Sequence, residues 1–313
     1  MIYIVRRGDS LYRIARKFDL TVDEIKRANG MHSDLIIAGE SLFLPLLPVG
    51  VYGIGAIGEA VRDIQQVLAY MGFPIRVDGI YGPQSANTIY YIQLKYPELS
   101  PDGIYGPKTK AYLERLVDEG YRIVQDPSDL LVLVNKTNAL DPHYLPEDLV
   151  VPAVPFTIAG PAPQKQMRYE AARALKQLFA KAQAEGIDLT GVSAYRSYPR
   201  QAAIFRENWE TDPVLANQFS ARPGESEHQT GLAIDVSSPS VGYALTQAFG
   251  NTPEGKWLEE NAPDFGFIIR YPAGKEHITG YRYEPWHIRY VGRDAAIAMS
   301  GSTLEEYISG LLI

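Results

Sequence analysis

The sequence predicts a multidomain protein: a small βααβ module, a three-helix module and a larger α+β domain. The chain has 313 residues, about twice the usual length of one domain. One six-residue segment, Asp-Gly-Ile-Tyr-Gly-Pro, occurs at 78–83 and again at 102–107. Beyond residue 119, short β-prone segments lie among amphipathic helices without a βαβ rhythm, which is typical of the α+β class. The predicted domains are 1–46, 47–118 and 119–313.

The composition excludes several classes of protein. The chain has no cysteine, so disulfide frameworks, thiol nucleophiles, thiolate zinc sites and iron–sulfur clusters are excluded. It has 30 basic and 37 acidic residues, and no predicted domain has the basic excess that binding to a nucleic-acid backbone requires. The apolar runs are far shorter than the ~20 residues that cross a bilayer. Residues 1–7 contain no apolar stretch typical of signal peptides. We expect a monomer with no nucleic-acid partner and no membrane span.

The first 46 residues predict a strand, two helices and a second strand. Gly8, Asp9 and Ser10 are suited to a turn and a helix N-cap, and the helix predicted after them places its apolar side chains on one face. Thr21 and Glu24 have the spacing of a capping box, which starts the second helix, and the pair Asn29-Gly30 ends it. A module of this length buries few side chains, so it predicts a binding module rather than an enzyme.

This module is similar to a known family. The segment YIVRRGDSLYRIARKFDLTVDEIKRAN, followed by IIAGESLFLP, resembles a LysM domain over its full length. The resemblance implies binding of glycans that contain N-acetylglucosamine, such as peptidoglycan and chitin. It places the groove near residues 8–11 and 35–38. A scaffold repeat that binds nothing is the alternative interpretation.

The repeated segment organises the second module. Each copy is a turn that places proline in the first turn of a following helix, which predicts helices over 85–95 and 109–117 after an earlier helix over 59–70. The module resembles the three-helix peptidoglycan-binding domain found on many wall hydrolases. Its tyrosines either stack on sugar rings or pack in the core, and both interpretations stay open. These tyrosines are Tyr81, Tyr90, Tyr91 and Tyr105.

Three side chains of the third domain predict a metal site. Asp235 lies within a β-prone apolar segment, where an unpaired carboxylate costs several kcal/mol. Neither arginine nor lysine occurs between 222 and 256, so a divalent metal held together with histidine is the economical partner. His228 precedes this strand and His287 lies in another. Three protein ligands with an open fourth position are typical of catalytic zinc, although these ligand types also accept Mn²⁺ or Fe²⁺.

A glutamate beside the predicted metal ligands has the position of a general base. Glu284 comes three residues before His287, and the intervening Pro285 disfavours a helix. A carboxylate close to the metal but not bound to it is placed to accept a proton from an activated water molecule. The alternative interpretation gives Asp235 a salt bridge, His228 a surface turn and Glu284 a loop cap.

The segments SAYRSYPRQ (193–201), SEHQTGLAIDV (226–236) and EPWHIRYV (284–291) look like the three signature blocks of the VanY-type D-alanyl-D-alanine carboxypeptidase family. The resemblance covers nearly all of the chain from 128 to 295. The resemblance implies the zinc DD-peptidase/hedgehog-like fold and Zn²⁺ as the cofactor.

The secondary structure that we predict for this domain includes a strand at 130–134 and a long helix over 166–185. Further strands are predicted at 189–194, 231–236, 267–270 and 286–291.

The resemblance also implies a role for each residue that matches the family blocks. His228, Asp235 and His287 would be the zinc ligands. Glu284 would be the catalytic base, and Arg196 would bind and stabilise the oxyanion. An alternative for Arg196 is a structural ion pair with a carboxylate. Two further residues, Ser226 and Gln201, would contact the substrate.

The implied activity is hydrolysis of the peptidoglycan stem peptide by a zinc metallopeptidase. A D-alanyl-D-alanine carboxypeptidase is the first candidate, and an LD-carboxypeptidase or an endopeptidase on the same peptides is the alternative. A non-catalytic protein that binds the cell wall is the alternative from another class. We expect residues 1–118 to bind glycan strands and the third domain to bind the stem peptide. We also expect an extracytoplasmic location at the cell wall or on the spore.

Overall fold

The N-terminal module has the predicted order of strand, helix, helix and strand. The Ser10 side chain caps the first helix, and Thr21 and Glu24 form a capping box on the second, which satisfies N–H groups that lack partners within a helix. The two strands are antiparallel, with Tyr3 opposite Leu42. The computed structural model describes residues 1–311. The elements of this module are β1 (Ile2–Ile4), α1 (Leu11–Phe18), α2 (Val22–Asn29) and β2 (Ser41–Phe43).

The second module contains the three predicted helices. They are α3 (Glu59–Tyr70), α4 (Pro83–Leu94) and α5 (Pro107–Asp118). The second and third helices start at the prolines of the two repeated turns, two residues before the predicted starts, because proline is well suited to the first helical position. Both N-terminal modules lie in one compact unit, Met1–Ile123, which ends with β3 (Arg122–Ile123).

Each repeated turn is held by a buried glutamine from the preceding helix. Gln65 Nε2 donates to Asp78 Oδ1 at 3.1 Å and to the Ile80 carbonyl at 3.0 Å. Its Oε1 accepts from the N–H of Gly79 at 2.7 Å. Gln93 makes the same contacts with the second copy of the turn. The two copies are therefore equivalent in structure as well as in sequence.

For two of the four tyrosines of this module, the structure decides between packing in the core and stacking on sugar rings. Tyr81 and Tyr105 are both 0% exposed, and their hydroxyl groups donate to the carbonyls of Gly103 and Pro48. They are core residues, so stacking on sugar is excluded for them. Tyr90 is 38% exposed, and its ring packs edge-on against that of Tyr91.

The second unit starts at Val124, a few residues after the predicted start of the third domain at 119. Its last two residues, 312 and 313, lie outside the described part of the chain. The domain limits themselves stay a prediction. None of the helices within residues 1–311 has the length and apolar character needed to span a bilayer.

A four-stranded antiparallel sheet is the centre of the second unit. The strands have the order β7-β8-β10-β9, and the long helix α6 packs its apolar face into the same core. Each of the four strands that the sequence predicts around this core is present. The bounds are α6 (Tyr169–Ala184), β7 (Thr190–Ser193), β8 (Ala233–Ser237), β9 (Phe267–Tyr271) and β10 (Glu284–Tyr290).

Shorter elements surround this sheet. The pair β5–β6 is antiparallel, and α7 and α8 follow β7 along the chain. The bounds are β4 (Asn138–Ala139), β5 (Leu149–Val150), β6 (Met167–Arg168), α7 (Tyr198–Thr211), α8 (Pro213–Phe219), α9 (Pro253–Asn261), α10 (Glu276–Thr279), α11 (Arg293–Ala298) and α12 (Leu304–Leu311).

The predicted strand at 130–134 is wrong, because this segment is irregular. Its apolar residues Val132 and Val134 are buried in the core as the pattern suggested. Its backbone, however, does not pair with a strand. The carbonyls of Leu130 and Val132 instead accept hydrogen bonds from the Arg289 guanidinium at 2.9 Å.

Replacing Gln65 by alanine tests the role of the buried glutamines. Gln65 makes five hydrogen bonds to the turn and to Ser85. We expect Gln65→Ala to lower the free energy of unfolding of this unit by about 2–4 kcal/mol, since buried partners lose their bonds. Hydrogen exchange of amides in α3–α5 measures it. The exposed control Asn87→Ala should change it by less than about 0.5 kcal/mol, and an equally small effect of Gln65→Ala would contradict the role.

Candidate metal centre

The sheet brings together the three residues predicted to bind a metal. Strands β8 and β10 are adjacent, and their register places Asp235 directly opposite His287. His228 lies on a short 3-10 turn, Glu227–Thr230, that leads into β8. Gly231 ends this turn with a φ of +69°, a conformation that favours glycine. The turn directs the His228 side chain toward Asp235.

The donor atoms of the three side chains face one another. His228 Nε2 is 3.3 Å from Asp235 Oδ2, and His287 Nδ1 is 3.3 Å from Asp235 Oδ1. One donor atom from each of the three residues lies within 4.8 Å of the other two. All three side chains are buried, with exposures of 3–4%. A buried pair of imidazoles with one carboxylate is a donor set that suits Zn²⁺.

Hydrogen bonding fixes which nitrogen of His228 faces the cluster. Its Nδ1 lies 2.7 Å from the carbonyl oxygen of Ala194. A carbonyl only accepts hydrogen bonds, so Nδ1 carries the hydrogen and the Nε2 lone pair faces Asp235. This is the orientation that a metal ligand needs.

The electrostatics of the cluster favour positive charge. Burial raises the pKa of Asp235, but the neighbouring His228 and His287 outweigh it and hold that pKa below its usual range. Burial lowers the pKa of His287, yet its contacts with the carboxylates of Asp235 and Glu227 raise that pKa to about 9. The surrounding carboxylates thus stabilise a cation at this place, which is the second observation that fits a divalent metal.

Glu284 lies beside the donor atoms at the start of β10. Its Oε2 is 3.7 Å from His287 Nδ1, and its exposure is 9%. Burial raises the pKa of Glu284 to about 7, although His287 acts in the opposite direction. A carboxyl group with a pKa near neutrality accepts and releases a proton readily. Glu284 therefore lies next to the three candidate ligands, and its role as the base stays a prediction.

Arg196 follows β7 and points toward the cluster. Its Nη2 is 3.7 Å from Asp235 Oδ2, and Nη1 donates to Gln201 Oε1 at 2.9 Å. The guanidinium also lies in the wall of the cleft. The contact with Asp235 is the carboxylate pair of the alternative interpretation, and the predicted contact of Arg196 with the oxyanion stays a prediction.

The two predicted substrate contacts lie in different places. Ser226 is in the wall of the cleft. Gln201 is not among the residues that line this cleft: it lies behind Arg196, and its Nε2 donates to the carbonyl of Ala221 at 2.5 Å. The structure therefore gives Gln201 the position of a support for the Arg196 guanidinium, and its direct contact with substrate stays a prediction.

The cluster lies at the base of a cleft of about 470 Å³. A volume of this size admits the end of a short peptide. Its walls combine the charged residues described above with aromatic and polar side chains. The aromatic residues are Phe219, Tyr271, Tyr281, Tyr283 and Trp286.

A buried ion network lies behind the cluster, and the sequence interpretation did not include it. Glu227 Oε1 accepts from Arg270 Nε and from Arg289 Nη1, both at 2.7 Å. Arg270 also forms two hydrogen bonds with Glu305, at 2.9 and 2.7 Å. A sequence signal for it was present, because both arginines lie within apolar strand segments, where a cation needs a buried partner.

Three segments of the chain match known families. Residues 164–293 match the VanY family, described as D-alanyl-D-alanine carboxypeptidase. Residues 3–45 match the LysM domain, and residues 57–113 match a family described as "Putative peptidoglycan binding domain". The three resemblances and their order along the chain are thereby confirmed.

Individual relatives agree with these matches. The "Putative carboxypeptidase YodJ" of Bacillus subtilis (strain 168) is 50% identical over 192 residues, which are 60% of this chain and 70% of that protein. The solved structure of the LdcB LD-carboxypeptidase is 49% identical, with a TM-score of 0.59 over 61% of this chain and 91% of that chain. The D,D-dipeptidase VanXYg, solved in complex with a D-Ala-D-Ala phosphinate analog, is 35% identical, with a TM-score of 0.50 over 58% and 71%.

Two glycines with the same backbone conformation test how tightly the His228 turn is packed. A Cβ atom on Gly231 would lie 2.8 Å from Leu149 Cδ2 and 3.1 Å from Arg168 Cγ, whereas one on Gly242 would meet nothing within 4 Å. We expect Gly242→Ala to cost about 1 kcal/mol of unfolding free energy. Gly231→Ala should cost about 2–4 kcal/mol, because crowding adds to the backbone strain. Hydrogen exchange of β8 amides measures both, and equal costs would show that the turn has room to adjust.

Proposed function

The chain belongs to the VanY family of D-alanyl-D-alanine carboxypeptidases, and from this we propose that it is a Zn²⁺-dependent peptidase of the bacterial cell wall. Its substrate is the stem peptide of peptidoglycan, from which it removes a terminal D-alanine. One observation carries the proposal: the donor atoms of His228, Asp235 and His287 converge at the base of a cleft, and the Glu284 carboxylate is 3.7 Å from one of them.

The donor set fits zinc in kind, number and burial. His228 would bind through Nε2 and His287 through Nδ1, since these are the nitrogens that face Asp235. Three ligands leave a further coordination position for substrate or solvent, as in catalytic zinc sites. When bound there, Zn²⁺ supplies Lewis-acid polarisation of a carbonyl group and lowers the pKa of water.

Two residues of the chain carry the proton and charge chemistry, and two more support them. Glu284 accepts the proton of the attacking water and then gives it to the leaving amine, because its carboxylate is the base adjacent to the metal ligands. Arg196 places its positive charge where negative charge develops on the scissile carbonyl oxygen. Gln201 holds that guanidinium through a 2.9 Å hydrogen bond. Ser226, in the wall of the cleft, provides a polar contact to the peptide.

The position of the cleaved bond has two candidates. The family description favours the bond between two D-alanine residues of a pentapeptide stem. The 49% identity with LdcB, described as an LD-carboxypeptidase, favours the bond that precedes the D-alanine of a tetrapeptide stem. Both reactions need a free terminal carboxylate in the cleft. An endopeptidase would not need one, so an amidated peptide terminus separates it from both.

The N-terminal modules support action on a polymeric substrate. We infer that the LysM module binds glycan strands near residues 35–38, where Leu35 and Ile37 are 74% and 58% exposed. The three-helix module adds a second contact with peptidoglycan. Tethered weak binders raise the local concentration of the peptidase on its substrate. This role agrees with a protein associated with the cell wall.

A panel of defined stem peptides tests the proposed function. We expect release of D-alanine from a pentapeptide, a tetrapeptide or both, since the cleft suits a peptide terminus. Mass spectrometry of the products identifies the bond. A chelator should abolish release and added Zn²⁺ should restore it. Release of D-alanine that persists after metal removal would contradict the zinc mechanism, and cleavage that continues when the peptide terminus is amidated would show an endopeptidase.

Replacing Glu284 by glutamine tests the base. We expect Glu284→Gln to lower kcat by about 10²–10⁴-fold, because general acid–base catalysis contributes this much. The variant should still bind Zn²⁺, since Glu284 is not one of the three donors. The control Glu276→Gln changes an exposed glutamate outside the cleft and should keep full activity. Normal turnover by Glu284→Gln would show that another group is the base.

A further inference from the structure

The two carboxylate oxygens of buried Glu227 have different environments. Oε1 accepts hydrogen bonds from Arg270 and Arg289, both at 2.7 Å. Oε2 has no hydrogen-bond partner within residues 1–311, and it lies 3.7 Å from His287 Nε2. That nitrogen is also without a hydrogen-bond partner in the same part of the chain. The two unsatisfied atoms therefore face each other inside the protein.

The network around Glu227 keeps its carboxylate charged and fixed. Arg270 and Arg289 are both 0% exposed, and Arg270 also pairs with Glu305. Two arginines and two glutamates give a network with no net charge. Arg289 is further held by the carbonyl oxygens of Leu130, Val132 and Tyr290. Because both arginines are buried and hydrogen-bonded, they hold Oε1 in place, and Oε2 lies toward His287.

The contact with Glu227 selects one orientation of His287. A neutral imidazole has one N–H and one lone pair, and a carboxylate only accepts hydrogen bonds. The negative charge of Glu227, 3.7 Å from Nε2, therefore favours the hydrogen on that nitrogen, which leaves the lone pair on Nδ1, 3.3 Å from Asp235. The Tyr271 ring, whose centroid is 4.9 Å from that of His287, limits the tilt of the imidazole.

We propose that Glu227 is a positioning residue for His287, which it holds with Nδ1 directed at the metal and makes a stronger donor through its negative charge. This inference rests on the zinc site of the proposed function. The corresponding contact of His228 is a 2.7 Å hydrogen bond with the carbonyl of Ala194, whereas Glu227 acts on His287 as a negative charge 3.7 Å from Nε2. A carboxylate acceptor raises the basicity of a ligand histidine more than a neutral carbonyl does.

The matched variants Glu227→Gln and Glu305→Gln separate this role from a structural one. Each removes one negative charge from the same arginine network, but Glu305 makes no contact with His287 in the described structure. Competition with a chromophoric chelator measures the Zn²⁺ affinity of the full chain. We expect Glu227→Gln to bind Zn²⁺ about 10–100-fold more weakly than the wild type. The Zn²⁺ affinity of Glu305→Gln should stay within about threefold of that of the wild type, because Glu305 does not contact a metal ligand and its replacement leaves the donor atoms in place.

A measurement on the wild-type protein keeps the inference testable if Glu227→Gln does not fold. Long-range ¹H–¹⁵N NMR of the Zn²⁺-loaded chain distinguishes coordination through Nδ1, with the hydrogen on Nε2, from the reverse. We expect the first pattern for His287. The reverse pattern would overturn the inference, even without any variant.

The outcomes also distinguish this inference from the proposed function. A wild-type chain that binds no Zn²⁺ in the competition would overturn both. If the wild type binds Zn²⁺ and Glu227→Gln binds it equally tightly, the role of Glu227 alone is overturned. Equal weakening by Glu227→Gln and Glu305→Gln would likewise overturn it, since charge balance in the network would then explain the effect.

Discussion

A carboxylate buried in the middle of an apolar sheet is the constraint on which the second unit depends. Asp235 is 3% exposed and lies on an interior strand of four, so its charge costs several kcal/mol unless positive groups surround it. The fold provides them from three directions: His228 from the preceding turn, His287 from the adjacent strand and Arg196 from the end of β7. The same arrangement that stabilises the aspartate assembles the donor set for a metal.

The sequence was sufficient to predict these residues but not the contacts behind them. Asp235 could be identified because a charge in an alternating apolar strand needs a partner, and histidines in two polar segments were the available ones. The register that places Asp235 opposite His287 depends on the pairing of β8 with β10, which no local pattern determines. Glu227 was missed because its partners, Arg270 and Arg289, come from strands far along the chain.

In the three-helix module, too, features that depend on neighbouring residues could be predicted, and contacts between residues far apart in the sequence could not. The repeated turn and its proline-started helices could be predicted because their chemistry is local. Gln65 and Gln93 could not, since they precede their aspartates by 13 and 9 residues and thus follow no common spacing.

The irregular backbone near Val132, in the second unit, likewise depends on a residue far along the chain. Its apolar residues are buried as in a strand, but the Arg289 guanidinium takes the place of a neighbouring strand as hydrogen-bond donor.

Anomalous X-ray diffraction at the zinc edge, from crystals of the Zn²⁺-loaded chain, shows whether these three side chains bind the metal. We expect one strong peak at the base of the cleft, about 2.0–2.2 Å from His228 Nε2, an oxygen of Asp235 and His287 Nδ1, as zinc–nitrogen and zinc–oxygen bonds require. Glu284 should lie next to the ion without being one of its three protein ligands. A peak elsewhere on the chain, with the three side chains in contact only with one another, would show that His228, Asp235 and His287 are not zinc ligands.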